Sequence, residues 1–322
     1  MIGFAARRAA SAVFVLFAIS VLVFLIFFAT PGVDPAARIA GRNASPETLA
    51  QVRAQFGLDE PLPVRYALMM KSLFWTQDLT SYVNRGTEVI PQVLQAVPVT
   101  LSLVLGAAVL WMVLGIVMGT LAAAWRGTAV DPVIVLLGVV GVSMPVYWLG
   151  EVVNLITQSR LHDSVFSWVP PLGYVPITES VGQWALHLLF PWLTLSVLYA
   201  GIYARVLRAE LLGAMGEDYV RTARAKGVSE RRILVKHALR CSLIPVVSLF
   251  GLDLGALVGG AALLTEVVFG LPGVGRLTFN ALQNVDLPVI MGCVMYAAFF
   301  VVLANALVDL VYAVLDPRVR HA

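Results

Sequence analysis

The side chains that could do chemistry in this chain stand in two unlike settings. Five acidic or amide residues lie within long apolar runs: Glu151, Asp253, Glu266, Asn305 and Asp309. If those runs cross a membrane, an ionisable group inside them is costly and is a candidate for a functional role. The second setting is a charged segment, residues 205–240, which lies between two apolar runs and must therefore sit in water.

Motifs typical of enzymes are absent from the sequence. It contains no G-x-x-x-x-G-K-[ST] phosphate loop, no H-E-x-x-H and no G-x-S-x-G. His187 and His237 are isolated, and Cys241 and Cys293 fall in or beside apolar runs without metal or disulfide spacing. We therefore predict no catalytic residue, no metal site and no cofactor in this chain.

Composition places the chain among polytopic membrane proteins. Of 322 residues, 59% are hydrophobic and 13% are charged, and the net charge of +3 does not suggest nucleic acid as a partner. Six apolar runs are long enough to cross a hydrocarbon core of about 30 Å. They cover residues 9–30, 99–124, 133–156, 184–204, 242–266 and 288–314. The fold class predicted is an all-α membrane protein with six transmembrane helices.

The spacing of these runs suggests two parts. Residues 1–98 hold an uncleaved first transmembrane helix and a polar, helical extracytoplasmic insert, in which Ser45-Pro46-Glu47 starts a helix that ends near Gly57. Residues 99–322 hold the core membrane domain, with a cytoplasmic loop over residues 205–241. The N- and C-termini are both predicted to be cytoplasmic.

Charge counting supports this orientation. With both termini inside, fourteen Lys and Arg residues fall on the cytoplasmic side and eight on the outer side, mostly in the long insert. In the short loops the bias is strong, as the positive-inside rule expects. Nine of the fourteen belong to the charged segment: Arg205, Arg208, Arg221, Arg224, Lys226, Arg231, Arg232, Lys236 and Arg240.

The charged segment also carries signals of local structure. Glu217 and Asp218 stand where a helix would begin, and Arg224 and Lys226 stand where it would end, in the order that the helix dipole favours. Gly227 can take the positive φ of a C′ residue. Ser229 can cap a second short helix. The alternative interpretation is a solvated basic loop with no further role.

Two features of the fifth run suggest a place along a pathway. Gly251, Gly255 and Gly259 are four residues apart on one helix face, which favours a close packing seam, such as one with a partner subunit along the pathway. The alternative is chance, because glycine is common in membrane helices. Asp253 lies among these glycines. It could face a translocation path, where an acid would attract an amino terminus, or be a buried acid paired with a neighbouring helix or with a partner.

The other polar positions receive structural interpretations. Glu266 and Asp309 lie near helix ends, where hydration at the interface suffices. The turn-rich stretch FGLPGVGR, residues 269–276, is expected to fix a tight turn rather than to bind a ligand.

Several stretches together resemble one transporter family. DYVRTARAKG, HALR and IPVV in residues 218–247 are similar to the cytoplasmic coupling loop of binding-protein-dependent ABC importer permeases, in the dipeptide, oligopeptide and nickel branch. WVPPLGY (168–174), FGLPGVGR and the terminal DPRVR resemble further motifs of that branch. The general Glu-Ala-Ala motif is only partly kept, since Arg221, Thr222 and Ala223 occupy its place.

The resemblance implies a type I ABC importer permease fold and a transport subunit rather than an enzyme. It implies import of short peptides across a prokaryotic inner membrane, with a second permease, two ATPase domains that bind ATP and Mg, and an extracytoplasmic binding protein. The residues implied to contact the ATPase are Glu217, Asp218, Tyr219, Arg221, Ala223, Arg224, Ala225, Lys226 and Gly227. Two alternatives stay open: import of nickel chelates or another small solute, and an ion-coupled secondary transporter.

Overall fold

The computed structural model describes residues 2–28, 36–37, 45–55, 57–84, 86–159 and 162–315. The side chains of residues 2–9, 27–28, 55 and 307–315 are not described, so the prediction for Asp309 lies outside the described side chains. The DPRVR terminus, residues 316–320, lies outside the described residues. The helices are α1 (Ile2–Phe28), α2 (Pro46–Gln55), α3 (Leu62–Phe74), α4 (Val89–Ala124), α5 (Val130–Ser143), α6 (Val146–Thr157), α7 (Val181–Ala214), α8 (Asp218–Ala225), α9 (Glu230–Ala261), α10 (Leu263–Val268), α11 (Val274–Asn284) and α12 (Leu287–Leu315).

The prediction of an all-α membrane protein is confirmed for the described residues. Four helices, α4, α7, α9 and α12, are long and apolar enough to cross a membrane, and α5 with α6 forms a fifth candidate span that is bent by 97°. The described apolar part of α1 covers Ala10–Ile26, which is shorter than a full span. The count of six spans therefore stays a prediction.

The run at 133–156 is not one straight helix, so that prediction was wrong. The helix breaks at Met144, whose φ of −92° and ψ of 126° are extended, and resumes after Pro145. Proline lacks an amide donor and disfavours the helical conformation in the residue before it. The sequence Met144-Pro145 therefore accounts for the bend.

The fifth span begins earlier than predicted. The expected second short helix is not separate, because Glu230–Arg232 continues through a π-helical turn, Ile233–Ala238, into the membrane part of α9. Ser229 adopts an N-cap conformation, but its side chain makes no capping hydrogen bond. At the other end, Gly260 has a φ of 120° and breaks the helix before α10.

The core is built on close contact between α4 and α7. Trp111 of α4 and Tyr203 of α7 are both fully buried. Gly119 permits the approach, since a Cβ there would lie 2.8 Å from the Ala204 carbonyl oxygen. Because lipid is as apolar as these side chains, small residues and tight packing hold such helices together.

Candidate functional site

Helix α8 is a short helix that the rest of the chain leaves largely uncovered. Glu217 precedes it in an extended conformation with ψ of 155°, and the Thr222 hydroxyl donates to the Asp218 carbonyl oxygen at 2.9 Å. Val220 is fully buried, whereas the neighbouring Tyr219 is 42% exposed. One apolar side chain therefore seats the helix on the protein, and its other face stays open.

Gly227 ends this helix in the predicted conformation, with a φ of +76°. The Gly227 amide donates to the Arg224 carbonyl oxygen at 2.9 Å, and the Val228 amide donates to the Ala223 carbonyl oxygen at 3.2 Å. These bonds satisfy carbonyl groups that a helix end otherwise leaves without partners. The turn sends the chain directly into α9.

An ion pair crosses that turn. Arg224 Nε donates to Glu230 Oε1 at 2.6 Å, and a second guanidinium nitrogen donates to Oε2 at 3.1 Å. This pairing raises the pKa of the Arg224 guanidinium above its usual value. A bidentate pair fixes direction as well as distance. The last turn of α8 and the first residue of α9 are therefore held together.

The structure brings the predicted coupling residues onto one continuous segment, which we call the coupling segment, Glu217–Gly227. Ala223 is half-buried, and the others of the predicted set are exposed: Glu217, Asp218, Tyr219, Arg221, Arg224, Ala225, Lys226 and Gly227. Arg221 pairs with Asp218 at 3.2 Å, one helical turn away. The segment offers an aromatic side chain amid both signs of charge.

Asp253 lies on α9 against α7. The Tyr203 hydroxyl donates to Asp253 Oδ2 at 2.8 Å. Asp253 itself is partly exposed. The acid is thus paired with a neighbouring helix, as one of the two interpretations proposed, but its partner is a neutral phenol.

The glycines of α9 are positioned for packing. A Cβ at Gly255 would lie 2.6 Å from the Ala304 Cβ of α12, and one at Gly259 would overlap Val301. At these two positions the close packing is within the chain. Gly251 lies one turn earlier on α9 and is half-buried. Placement of any of the three along a translocation path stays a prediction.

Comparison with known proteins identifies the family. Residues 115–321 match the family described as binding-protein-dependent transport system inner membrane component, and residues 1–104 match its N-terminal counterpart. The chain belongs to this family. It is an ABC permease transport subunit with several membrane-crossing segments. The alternative of an ion-coupled secondary transporter is thereby set aside.

The alignments with known relatives extend over almost the whole length of the permease. The dipeptide transport system permease protein DppB of Escherichia coli (strain K12) is 34% identical over 340 residues, 100% of this chain and 99% of its own. DppB of Alkalihalophilus pseudofirmus is 32% identical over 341 residues, 100% of each chain. A Brucella abortus (strain 2308) protein is 38% identical over 315 residues, 98% of each chain.

Glu266 of the permease was misjudged from sequence. It is fully buried rather than hydrated at an interface. Its Oε1 accepts from the Thr100 hydroxyl at 2.7 Å, and its Oε2 accepts from the Arg276 backbone amide at 3.0 Å. Thr100 in turn accepts from the Val274 amide at 2.9 Å. The carboxyl group therefore ties α4 to the start of α11.

The FGLPGVGR stretch wraps around this carboxyl group. A Cβ at Gly273 would overlap the Glu266 carboxyl group, so only glycine fits there. Arg276 also donates from its guanidinium to the Gly270 carbonyl oxygen at 2.5 Å. These internal contacts match the tight turn that the sequence predicted.

A second buried acid, Asp286, was not singled out from the sequence. It is 4% exposed and precedes α12. It accepts hydrogen bonds from the Ser81 hydroxyl and, at 3.0 Å, from the Tyr82 backbone amide. Ser81 and Tyr82 belong to the segment between α3 and α4, so this acid fastens the insert to the membrane core. No local sequence signal distinguishes it.

Arg208, one of the nine basic residues of the charged segment, is engaged in an ion pair within the protein. Helix α7 extends to Ala214, ten residues beyond the predicted end. Arg208 on that extension donates to Asp131 of α5 through two nitrogens, at 2.5 and 2.6 Å. This pair links α5 to α7.

Proposed function

We propose that this permease belongs to an ATP-driven importer of short peptides, delivered by an extracytoplasmic binding protein. Relatives at 32 and 34% identity over the whole chain are named dipeptide transport permeases, which supports this cargo over nickel chelates. The permease itself supplies no ATP chemistry. ATP and Mg are bound by two partner ATPase domains.

The proposed arrangement is six transmembrane helices in a prokaryotic inner membrane, with both termini in the cytoplasm. Residues 1–98 provide the first span and the extracytoplasmic insert, and residues 99–322 provide the core with the cytoplasmic loop 205–241. A second permease, a different homologous chain, completes the pathway. The bent pair α5–α6 supplies one span, and α1 supplies another.

The coupling segment is proposed to contact the ATPase. Tyr219, Ala223 and Ala225 fill a groove on the ATPase surface, and the surrounding charges set the register. When ATP binding closes the two ATPase domains, α8 moves as a rigid body. The permease then shifts between inward-open and outward-open states, an equilibrium that nucleotide and the loaded binding protein both bias.

One observation carries this proposal: the open helix α8 is joined to a continuous helix that enters the membrane. The Gly227 turn and the Arg224–Glu230 pair connect α8 to α9 without a flexible linker. Helix α9 then runs from Glu230 to Ala261, past Asp253. A displacement of α8 is thereby transmitted to the membrane part of α9.

Reconstitution tests the function directly. The permease is co-purified with its partner permease and ATPase subunits and placed in liposomes with the binding protein. We expect uptake of a labelled dipeptide that requires both ATP and the binding protein, with ATP omitted as the control. Uptake driven by an ion gradient without ATP would contradict the proposal.

A further inference from the structure

Asp253 is an isolated acidic side chain in the membrane part of the permease. It is the only Lys, Arg, Asp or Glu residue on α9 after Arg240. Helix α4 contains no charged residue, and neither does the described side-chain portion of α12. The cations on α7 are Arg205, which is exposed, and Arg208, which is paired with Asp131. Among the described residues, no basic group forms an ion pair with Asp253.

The hydrogen bond from Tyr203 orients this acid but supplies no positive charge to pair with it. Tyr203 donates to Oδ2 at 2.8 Å, and no described protein donor is bonded to Oδ1. Because an uncompensated charge at membrane depth is costly, such groups face a cavity or meet a charged partner. The partial exposure of Asp253 leaves it open to a group from outside the chain.

Tyr203, which donates to the acid, belongs to a cluster of aromatic rings. Trp111 stacks on Tyr199 with ring centroids 4.8 Å apart and lies 6.2 Å from Tyr203 and 5.8 Å from Phe250. Trp111 and Tyr203 are fully buried, whereas Tyr199, one turn before Tyr203, and Phe250, three residues before Asp253, are partly exposed. Aromatic faces attract cations, most strongly when water is excluded. A carboxylate beside such rings favours an ammonium group.

The site also lies on a long span that the described part of this chain covers poorly. Only 28% of the most apolar 18-residue stretch of α9 is buried. Leu252, next to Asp253, is 52% exposed. The acid thus lies at the edge of a helix surface that this chain does not cover, and α9 is the helix that continues from the coupling segment.

We propose that Asp253, held by Tyr203, binds the protonated amino terminus of a peptide in transit, with Tyr199 and Phe250 flanking the ammonium group. This inference rests on the proposed function and adds the chemistry by which the pathway recognises one end of its cargo. No covalent step is involved, since the contact is an ion pair that forms and breaks as the peptide passes.

The test compares variants in the reconstituted complex with its ATPases, binding protein and a labelled dipeptide. Asp253→Asn removes the charge but keeps an oxygen that can accept from Tyr203. Tyr203→Phe removes the hydrogen bond but keeps the charge, and Asp253→Glu keeps the charge on a longer side chain. Two quantities are measured for each: ATPase activity stimulated by the loaded binding protein, and dipeptide uptake per ATP hydrolysed.

We expect Asp253→Asn to lower uptake per ATP by about tenfold or more, since a partner charge in a poorly solvated site is lost. Stimulated ATPase activity, measured on the same samples, separates a loss of cargo binding from a loss of coupling, because the coupling segment is untouched. Tyr203→Phe should lower uptake per ATP less than Asp253→Asn, and Asp253→Glu should retain more uptake than Asp253→Asn.

Three results would overturn the inference. Unchanged uptake per ATP in Asp253→Asn would show that no cation depends on this charge. Equal losses in Asp253→Asn and Tyr203→Phe, with equally lowered thermal stability, would assign the pair a structural role. Loss of the partner permease from purified Asp253→Asn would assign the missing cation to that partner. If the unmodified complex shows no ATP-dependent uptake, the proposed function fails instead.

Discussion

The permease uses acidic side chains in opposite ways at its two ends. At the predicted outer end, Glu266 is fully buried and Asp286 is 4% exposed, and each accepts hydrogen bonds from elements distant in sequence. At the predicted cytoplasmic end, Glu217 and Asp218 are exposed, and Glu230 pairs with Arg224 on the surface. The first arrangement fixes helices to one another, and the second leaves a surface for a partner.

The difference follows from what each end must do. Buried carboxyl groups with several donors hold their neighbours tightly, because separation would leave buried polar groups without partners. Exposed ion pairs contribute less to stability and leave their charges within reach of another protein. We interpret the outer end as the fixed part of the permease and the coupling segment with α9 as the moving part.

The largest effect is expected from Glu266→Ala. The change leaves the Thr100 hydroxyl and the Arg276 amide buried without their acceptor, which should lower the free energy of unfolding by roughly 2–4 kcal/mol. Thermal unfolding of the purified complex measures it. The matched control is Glu179→Ala, an exposed acid in the loop between α6 and α7, whose loss should change stability by no more than about 0.5 kcal/mol. Equal losses of stability in the two variants would contradict the difference between the buried and the exposed acids.

A smaller loss is expected from Ser81→Ala, which takes one donor from buried Asp286 and leaves the Tyr82 amide bonded. A hydrogen bond to a charged group contributes about 1.5–3 kcal/mol, so the free energy of unfolding should fall by about that amount. Limited proteolysis of the segment between α3 and α4 checks whether the insert has loosened. Unchanged stability and protection would show that Asp286 does not fasten the insert.

Gly227→Val tests the moving part. A β-branched residue at a φ of +76° is strained by about 1–2 kcal/mol, so the turn between α8 and α9 should be distorted. We expect the protein to insert, but ATPase stimulation by the loaded binding protein and dipeptide uptake should both be largely lost. Gly213→Val is the control, because Gly213 has open space around its Cβ position and no positive φ. Normal uptake in Gly227→Val would contradict the role given to the turn.

The smallest effect is expected from removing the ion pairs Arg224–Glu230 and Arg208–Asp131. The two pairs should differ in how strongly added salt weakens them. The Arg224–Glu230 side chains are 42 and 62% exposed, whereas those of Arg208–Asp131 are 28 and 11% exposed. Raising ionic strength from 0.15 to 1 M shortens the Debye length from about 8 to about 3 Å, which weakens exposed pairs more. Double-mutant cycles at both salt concentrations should therefore show the greater loss of coupling for Arg224–Glu230. An equal loss of coupling energy in the two pairs would contradict the difference in their exposure to solvent.

Sequence predicted the helix and the turn of residues 217–227 because the signals for them are local. The acids at the start of α8, the basic residues at its end and Gly227 all lie within eleven residues, and the structure forms that helix and turn. The buried acids were missed because their partners are remote. Glu266 bonds to Thr100 across 166 residues, and Asp286 bonds to Ser81 across 205.

The predicted helix boundaries were wrong for another reason. The run at 133–156 is apolar throughout, so hydropathy predicted one span, although Pro145 carried the signal for a break. Helices α7 and α9 both extend beyond the apolar core into charged sequence, since charge does not end a helix that water can solvate. The long helical extension of α9 is what joins it to the coupling segment.

Site-specific cross-linking tests the central claim most directly. Ala225→Cys, in a Cys241→Ser background, places a thiol on the exposed face of the coupling segment, and Trp75→Cys places one on the insert, where Trp75 is 85% exposed. We expect Ala225→Cys to cross-link to an ATPase subunit with a yield that changes on ATP binding, and only Trp75→Cys to react with an impermeant reagent in intact cells. Labelling of Ala225→Cys from outside, with no cross-link to the ATPase in either nucleotide state, would contradict the account.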